Sequence, residues 1–112
     1  MLTKKEKGYR SESLVAEYFS DQGFLLVAKN YTIRGGEIDL IMRNDTTWMF
    51  VEVKEVEGTD DLSDYITSKK LQALQKTIQA FFLSYNQGDL DQQIVVVYTK
   101  HHTIYHICSY ES

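Results

Sequence analysis

Apolar positions along the chain fall into two helical stripes and five strand-like runs. Thr3 and Glu6 have the spacing of a capping box, in which each side chain satisfies the backbone N–H of the other residue at a helix start. Leu14, Val15, Tyr18 and Phe19 then recur on one helix face, and Gly23 supplies the left-handed residue that often ends a helix. The pattern predicts a helix over 4–22. The run FLLVAKNYTI at 24–33 is rich in aromatic and branched residues and predicts a strand, turned by Arg34, Gly35 and Gly36. Two further β-type runs, 37–43 and 47–54, flank the polar Asn44, Asp45 and Thr46, so an antiparallel hairpin is expected. The acidic stretch at 55–64 reads as a loop. Thr67 is a candidate N-cap for an amphipathic helix over 67–85 carrying Leu71, Leu74, Ile78, Phe81, Phe82 and Tyr85, stopped by Asn86, Gln87 and Gly88. Strands at 94–99 and 103–110, around a Lys100-His101-His102 turn, complete the order α-β-β-β-α-β-β.

This order predicts an α/β fold with a mixed central sheet of about five strands flanked by helices. The 112 residues suit one domain spanning 1–112, and 43% hydrophobic with 25% charged residues excludes a disordered or fibrous chain. No apolar run approaches the roughly 20 residues that span a bilayer, and the first ten residues lack the apolar stretch of a signal peptide. A cytoplasmic protein without a membrane partner is the expectation. The single cysteine, Cys108, forms no internal disulfide and reads as a small buried side chain. A net charge of −4 is the wrong sign for coating nucleic acid by bulk electrostatics. Any nucleic-acid contact has to be local, and Lys4, Lys5, Lys7 and Arg10 in one segment and Lys69, Lys70 and Lys76 in another are where positive charge gathers.

Candidate chemistry centres on the hairpin. With Arg43 opposite Thr46, period-two alternation puts Glu37, Asp39 and Ile41 on one face with Phe50, Glu52 and Lys54. Two half-dry carboxylates, Asp39 and Glu52, resist ionising together unless a cation joins them. Mg²⁺ (or Mn²⁺) suits such a pair, since it takes one or two carboxylates and leaves its other positions to water and substrate phosphate. The backbone C=O of Val53 is a further oxygen. Lys54, two residues past Glu52, points to the same side, where an ammonium can hold a water beside the ion and offset charge growing on phosphorus. Glu12 borders the apolar face of the first helix and is a candidate for the rim of the cluster.

The run GGEIDLIMRNDTTWMFVEVK at 35–54 resembles the signature of the YraN family of small bacterial proteins, in which G-E-I-D-L-I is followed by F-V-E-V-K. That family is grouped with the restriction-endonuclease-like PD-(D/E)xK superfamily, which includes archaeal Holliday-junction resolvases. The likeness extends to Glu12, to Ala28, Lys29, Asn30 and Tyr31, to Thr67 with Lys70, and to Ile104, His106 and Ile107. It implies a restriction-endonuclease-like core, Asp39 and Glu52 as metal ligands, Lys54 as catalytic lysine and Glu12 as auxiliary acid. Two departures stand out: Val56 where the family usually has a basic residue, and Ser11 in place of the glycine before the helix-one glutamate.

Other signals are weaker. His101, His102 and His106 lack partners at zinc spacing. Trp48 and the tyrosines sit in strand or helix patterns where core packing is expected, and Arg34-Gly35-Gly36 leads into a strand, so it forms no helix-terminus anion site. Lys70, in the first turn of a helix where its charge opposes the macrodipole, suits a contact with substrate phosphate. The sequence therefore leads to a Mg²⁺-dependent nuclease acting on structured or single-stranded DNA, for which a homodimer would cover more of a duplex than one copy. The acidic charge and Val56 lead to the alternative, a nuclease-fold module that binds nucleic acid or a DNA-processing partner without cutting.

Overall fold

The computed structural model describes residues 2–56 and 66–111 of the chain. Helix α1 (Lys4–Ser20) is followed by strands β1 (Leu25–Ile33), β2 (Gly36–Arg43) and β3 (Thr47–Glu55), helix α2 (Ser68–Phe82), and strands β4 (Asp91–Lys100) and β5 (Thr103–Glu111). The expected order is present. The sheet runs β1-β2-β3-β4-β5, with β3 and β4 parallel and every other neighbouring pair antiparallel. The acidic loop expected at 55–64 falls, from residue 57 to 64, outside the described residues.

Both helix starts follow from their caps. Thr3 Oγ1 accepts from the Glu6 N–H at 3.1 Å while Glu6 Oε1 accepts from the Thr3 N–H at 3.4 Å, and Thr67 Oγ1 accepts from the Lys70 N–H at 3.1 Å. Both ends come earlier than the apolar stripes suggest. α1 stops at Ser20, with Gly23 at φ 94 turning the chain. At the end of α2 the N–H groups of Leu83 and Ser84 bond back to Ala80 and Phe81, a tighter winding that closes the helix three residues before Tyr85. Tyr85 still stacks on Phe81, with ring centroids 4.5 Å apart.

Alternation along the strands feeds two cores. Leu40, Met42, Met49, Val51, Val95 and Val97 pack with Val15, Ala16 and Phe19 of α1, and the intervening Ile41, Trp48, Phe50 and Ile94 pack with Leu74, Ile78 and Phe81 of α2. The sheet is thus covered on both faces, the three-layer arrangement of a restriction-endonuclease-like core. Five expected core positions differ. Tyr18 flanks the α1 stripe and is exposed; Cys108 is only half-buried, because β5 is an edge strand; and Tyr9, Tyr85 and Tyr105 lie at the surface while Trp48 and Tyr98 are interior.

Hairpin register also differs from expectation. Arg43 pairs with Trp48 rather than Thr46, because Asn44 Oδ1 accepts from the N–H groups of both Thr46 and Thr47 at 2.9 Å and holds Thr46 in the turn. The shift is two residues, so the side chains of the paired stretch keep their faces. Its consequence is local: Leu40 pairs with Val51, and the next positions along the two strands are Asp39 and Glu52.

Candidate metal centre

Beyond the Leu40–Val51 pair the β2–β3 ladder stops, and the Val53 N–H donates to Asp39 Oδ2 at 2.8 Å. A side-chain carboxylate has replaced the backbone acceptor. The strands part here, and the face assignments show it: Ile38 and Ile41 both belong to the α2-side core although three residues apart, while Leu40 belongs to the α1 side. Opposite this kink β1 carries Asn30 at φ 49, a left-handed residue inside a strand. Asparagine is among the few side chains that accept that geometry.

The Asp39 carboxyl is pushed up from its ordinary value by burial and by the charge of Glu37, with the Val53 hydrogen bond and Lys70 acting the other way. Burial, reinforced by Asp39, holds the Glu52 carboxyl at about 7, again opposed by Lys70. Glu52 Oε2 lies 3.5 Å from Lys70 Nζ, whereas Glu52 Oε1 is buried with no hydrogen-bond partner in the structure. A carboxylate oxygen left bare in a poorly hydrated position is costly unless something positive meets it. Val53 adds a third oxygen in the same direction. A residue in an extended strand sends its N–H and C=O to the same side, and the Val53 N–H already points at Asp39.

Glu52 and Lys54 both line a cavity of about 360 Å³ with Thr67, Lys70 and Tyr98. The parallel register sets this floor, with Glu52 beside Val96 and Lys54 beside Tyr98. Glu12, from α1, feels the charge of Asp39, and its carboxyl is raised by burial first and by Asp39 second while Asn30 hydrogen-bonds it. The fold therefore brings Asp39, Glu52, Val53, Lys54 and Lys70 to one place and sets Glu12 at its edge. Among the described residues no three His, Cys, Asp or Glu side chains cluster closely enough to hold an ion by themselves. A cation here would depend on two carboxylates, the Val53 carbonyl and water, the kind of partial shell that Mg²⁺ accepts.

Asn30 and Thr67 are neighbours of this site; sequence reasoning placed both in the family likeness and read Thr67 as a helix cap, but gave neither a part in the site. Asn30 carries a signal that was available, a turn-forming residue in the middle of an aromatic and branched strand. The two departures prove to be structural. Ser11 is buried, accepting from the Thr99 hydroxyl at 3.2 Å, and Val56 is a core residue packed with Val96 and Tyr98.

The family model described as Uncharacterised protein family UPF0102 matches residues 11–101. A UPF0102 protein of Campylobacter fetus subsp. fetus (strain 82-40) is 34% identical over 90 residues, 80% of either chain. Another, from Dichelobacter nodosus (strain VCS1703A), is 33% identical over 109 residues, covering 92% of this chain and 86% of its own. A third, from Sulfurihydrogenibium sp. (strain YO3AOP1), is 32% identical over 108 residues, 95% and 94% of the two chains.

Proposed function

The chain belongs to the UPF0102 family, the YraN family of the hairpin resemblance, and from that premise we propose that it is a Mg²⁺- or Mn²⁺-dependent nuclease hydrolysing phosphodiester bonds of structured or single-stranded DNA. One observation carries this reading: a buried, partnerless oxygen of Glu52 beside Asp39, at the point where β2 and β3 part. Asp39, Glu52 and the Val53 carbonyl would hold the ion. Bound there, it would supply Lewis-acid polarisation of a phosphoryl oxygen and a lowered water pKa.

The remaining work falls to the chain's own residues. Lys54, on the Glu52 face at the end of β3, orients the attacking water and offsets negative charge on the phosphorus. Lys70 is half-exposed on the first turn of α2, so its side chain is able to leave Glu52 and take a substrate phosphate. Glu12, whose carboxyl is raised by burial and by Asp39, stands at the rim as an auxiliary acid. The test is cleavage of duplex, single-stranded and four-way-junction DNA by purified protein with Mg²⁺ or Mn²⁺ and with EDTA. Cleavage by wild type that is lost with EDTA and in Asp39→Asn supports the reading; no cleavage of any substrate, or cleavage unchanged in Asp39→Asn, overturns it.

A further inference from the structure

On the α1 side of the sheet, past the end of β3, lies a second cavity of about 510 Å³ that the metal centre does not use. Its walls carry Lys7 and Arg10 from α1, one helical turn apart, and His101 and His102 from the β4–β5 turn, with Glu55 at the edge. Lys7, Arg10, His101 and His102 are all exposed, so their charged and ring N–H groups are open to a ligand.

The floor is rigid. The buried hydroxyls of Ser11 and Thr99 bond each other across α1 and β4 at 3.2 Å, and the Val56 N–H donates to the Thr99 carbonyl at 2.8 Å. The turn above it is built at a cost. His101 and His102 sit at φ 52 and 59 between the paired Lys100 and Thr103, the two-residue hairpin geometry that favours Asn-Gly. Two consecutive left-handed side chains are a poor choice for the fold alone. Imidazoles there bring N–H donors to a cavity whose other wall supplies an ammonium and a guanidinium, and guanidinium forks match phosphate.

Position gives the ligand. Glu55 is three residues past Glu52, about 10 Å along an extended strand, so the cavity opens at the end of the strand that carries Glu52. Resting on the nuclease reading, we infer that this cavity is a phosphate-binding subsite for a nucleic-acid strand, with Lys7, Arg10, His101 and His102 gripping backbone phosphates outside the cleavage point. It supplies the local positive charge that a chain of net charge −4 needs to hold a polyanion.

The experiment is fluorescence anisotropy of a labelled single-stranded oligodeoxynucleotide in EDTA, over a salt series, with Mn²⁺ calorimetry on the same proteins. In the Lys7→Gln/Arg10→Gln variant affinity should fall about tenfold and the salt slope by about two. The His101→Asn/His102→Gly variant keeps the turn's preferred residues, so it folds, and should weaken binding several-fold. Glu55→Gln should tighten it. Binding by wild type that none of these variants changes, or no binding by wild type, overturns the subsite. Loss of oligonucleotide binding with an unchanged Mn²⁺ isotherm supports it, and does so whether or not the protein cleaves DNA. Failure of the nuclease reading shows separately, as absent cleavage or as Mn²⁺ binding indifferent to Asp39→Asn.

Discussion

The Val53 backbone N–H donates to Asp39 Oδ2 at 2.8 Å, so the residue that ends the β2–β3 ladder is also the one that offers a carboxylate to the site. The Asp39 side chain holds the backbone partner of a neighbouring strand, and that fixes its position before any ion arrives. Asp39→Asn keeps an acceptor for Val53 and removes a poorly solvated charge, whereas Asp39→Ala leaves the N–H without its partner. Thermal unfolding of the metal-free proteins should show Asp39→Asn at or above wild type and Asp39→Ala about 1 kcal/mol below Asp39→Asn. Calorimetry should show both without Mn²⁺ binding. Equal stability of the two variants would break the structural half of this argument, and retained Mn²⁺ affinity the other half.

Burial and the charge of Asp39 hold Glu52 at about 7, above its ordinary 4.5, and the carboxyls of Asp39 and Glu12 are raised in the same direction. A folded-state pKa above the unfolded one means that the folded protein keeps a proton that the unfolded chain gives up. The associated stability is complete below about 4.5 and is lost as pH rises through about 7. Urea unfolding of metal-free wild type should therefore lose on the order of 1–3 kcal/mol between about pH 5 and pH 8, with a shallower fall in Glu52→Gln. The proton competes with the cation for the same oxygens, so Mn²⁺ affinity should climb over that interval. A flat or rising metal-free stability profile would contradict the buried carboxylates.

Period two and the resemblance at 35–54 made much of the site legible, since Glu52 and Lys54 keep their side under a two-residue register shift, while Asp39 lies where the alternation of β2 breaks. The register itself was hidden, because it depends on Asn44 bonding two successive N–H groups, which spacing does not encode. Lys70 was marked by its place in a helix start, by a cluster of positive charge and by the family likeness, none of which names Glu52 as its neighbour. Its approach to Glu52 at 3.5 Å depends on how α2 lies over the sheet. The parting of β2 and β3 was likewise invisible, apart from an asparagine in the middle of β1. Val56 stands where a basic residue was expected and Ser11 where a glycine was, and both are buried contacts, because a sequence does not say which face a departure occupies.

Gly36 opens β2 directly beneath α2, where an added Cβ would collide with the Thr77 hydroxyl and come within 3.0 Å of the Ala73 carbonyl oxygen. Thr77 is fully buried, and its hydroxyl donates to that same carbonyl at 2.7 Å, so neither group has room to yield. Gly36→Ala should cost about 1–3 kcal/mol through overpacking, measured by urea unfolding. The double variant Gly36→Ala/Thr77→Ala should recover part of that loss, and an unaffected single variant would mean that β2 and α2 are further apart than described.

Lys54 and Lys70 approach Glu52 from different elements, and their removal should have opposite signatures. Lys70 Nζ stands 3.5 Å from Glu52 Oε2, where it favours the ionised carboxylate and occupies space that a cation would use. At a pH far enough above about 7 Glu52 is ionised in wild type, and the competition between Lys70 and the cation is then the larger effect. Lys70→Ala should then bind Mn²⁺ a few-fold more tightly while holding oligonucleotide less well, with the salt slope reduced by about one. Lys54→Ala should leave Mn²⁺ affinity within about twofold, because the role proposed for Lys54 is on charge that develops only during reaction, and should slow cleavage by roughly 100-fold or more. Single-turnover cleavage beside calorimetry separates the two. Metal-dependent cleavage of undiminished rate in Lys54→Ala would identify a contaminating nuclease rather than this site, and a matched loss of Mn²⁺ affinity would make Lys54 a part of the ion's support instead of the chemistry.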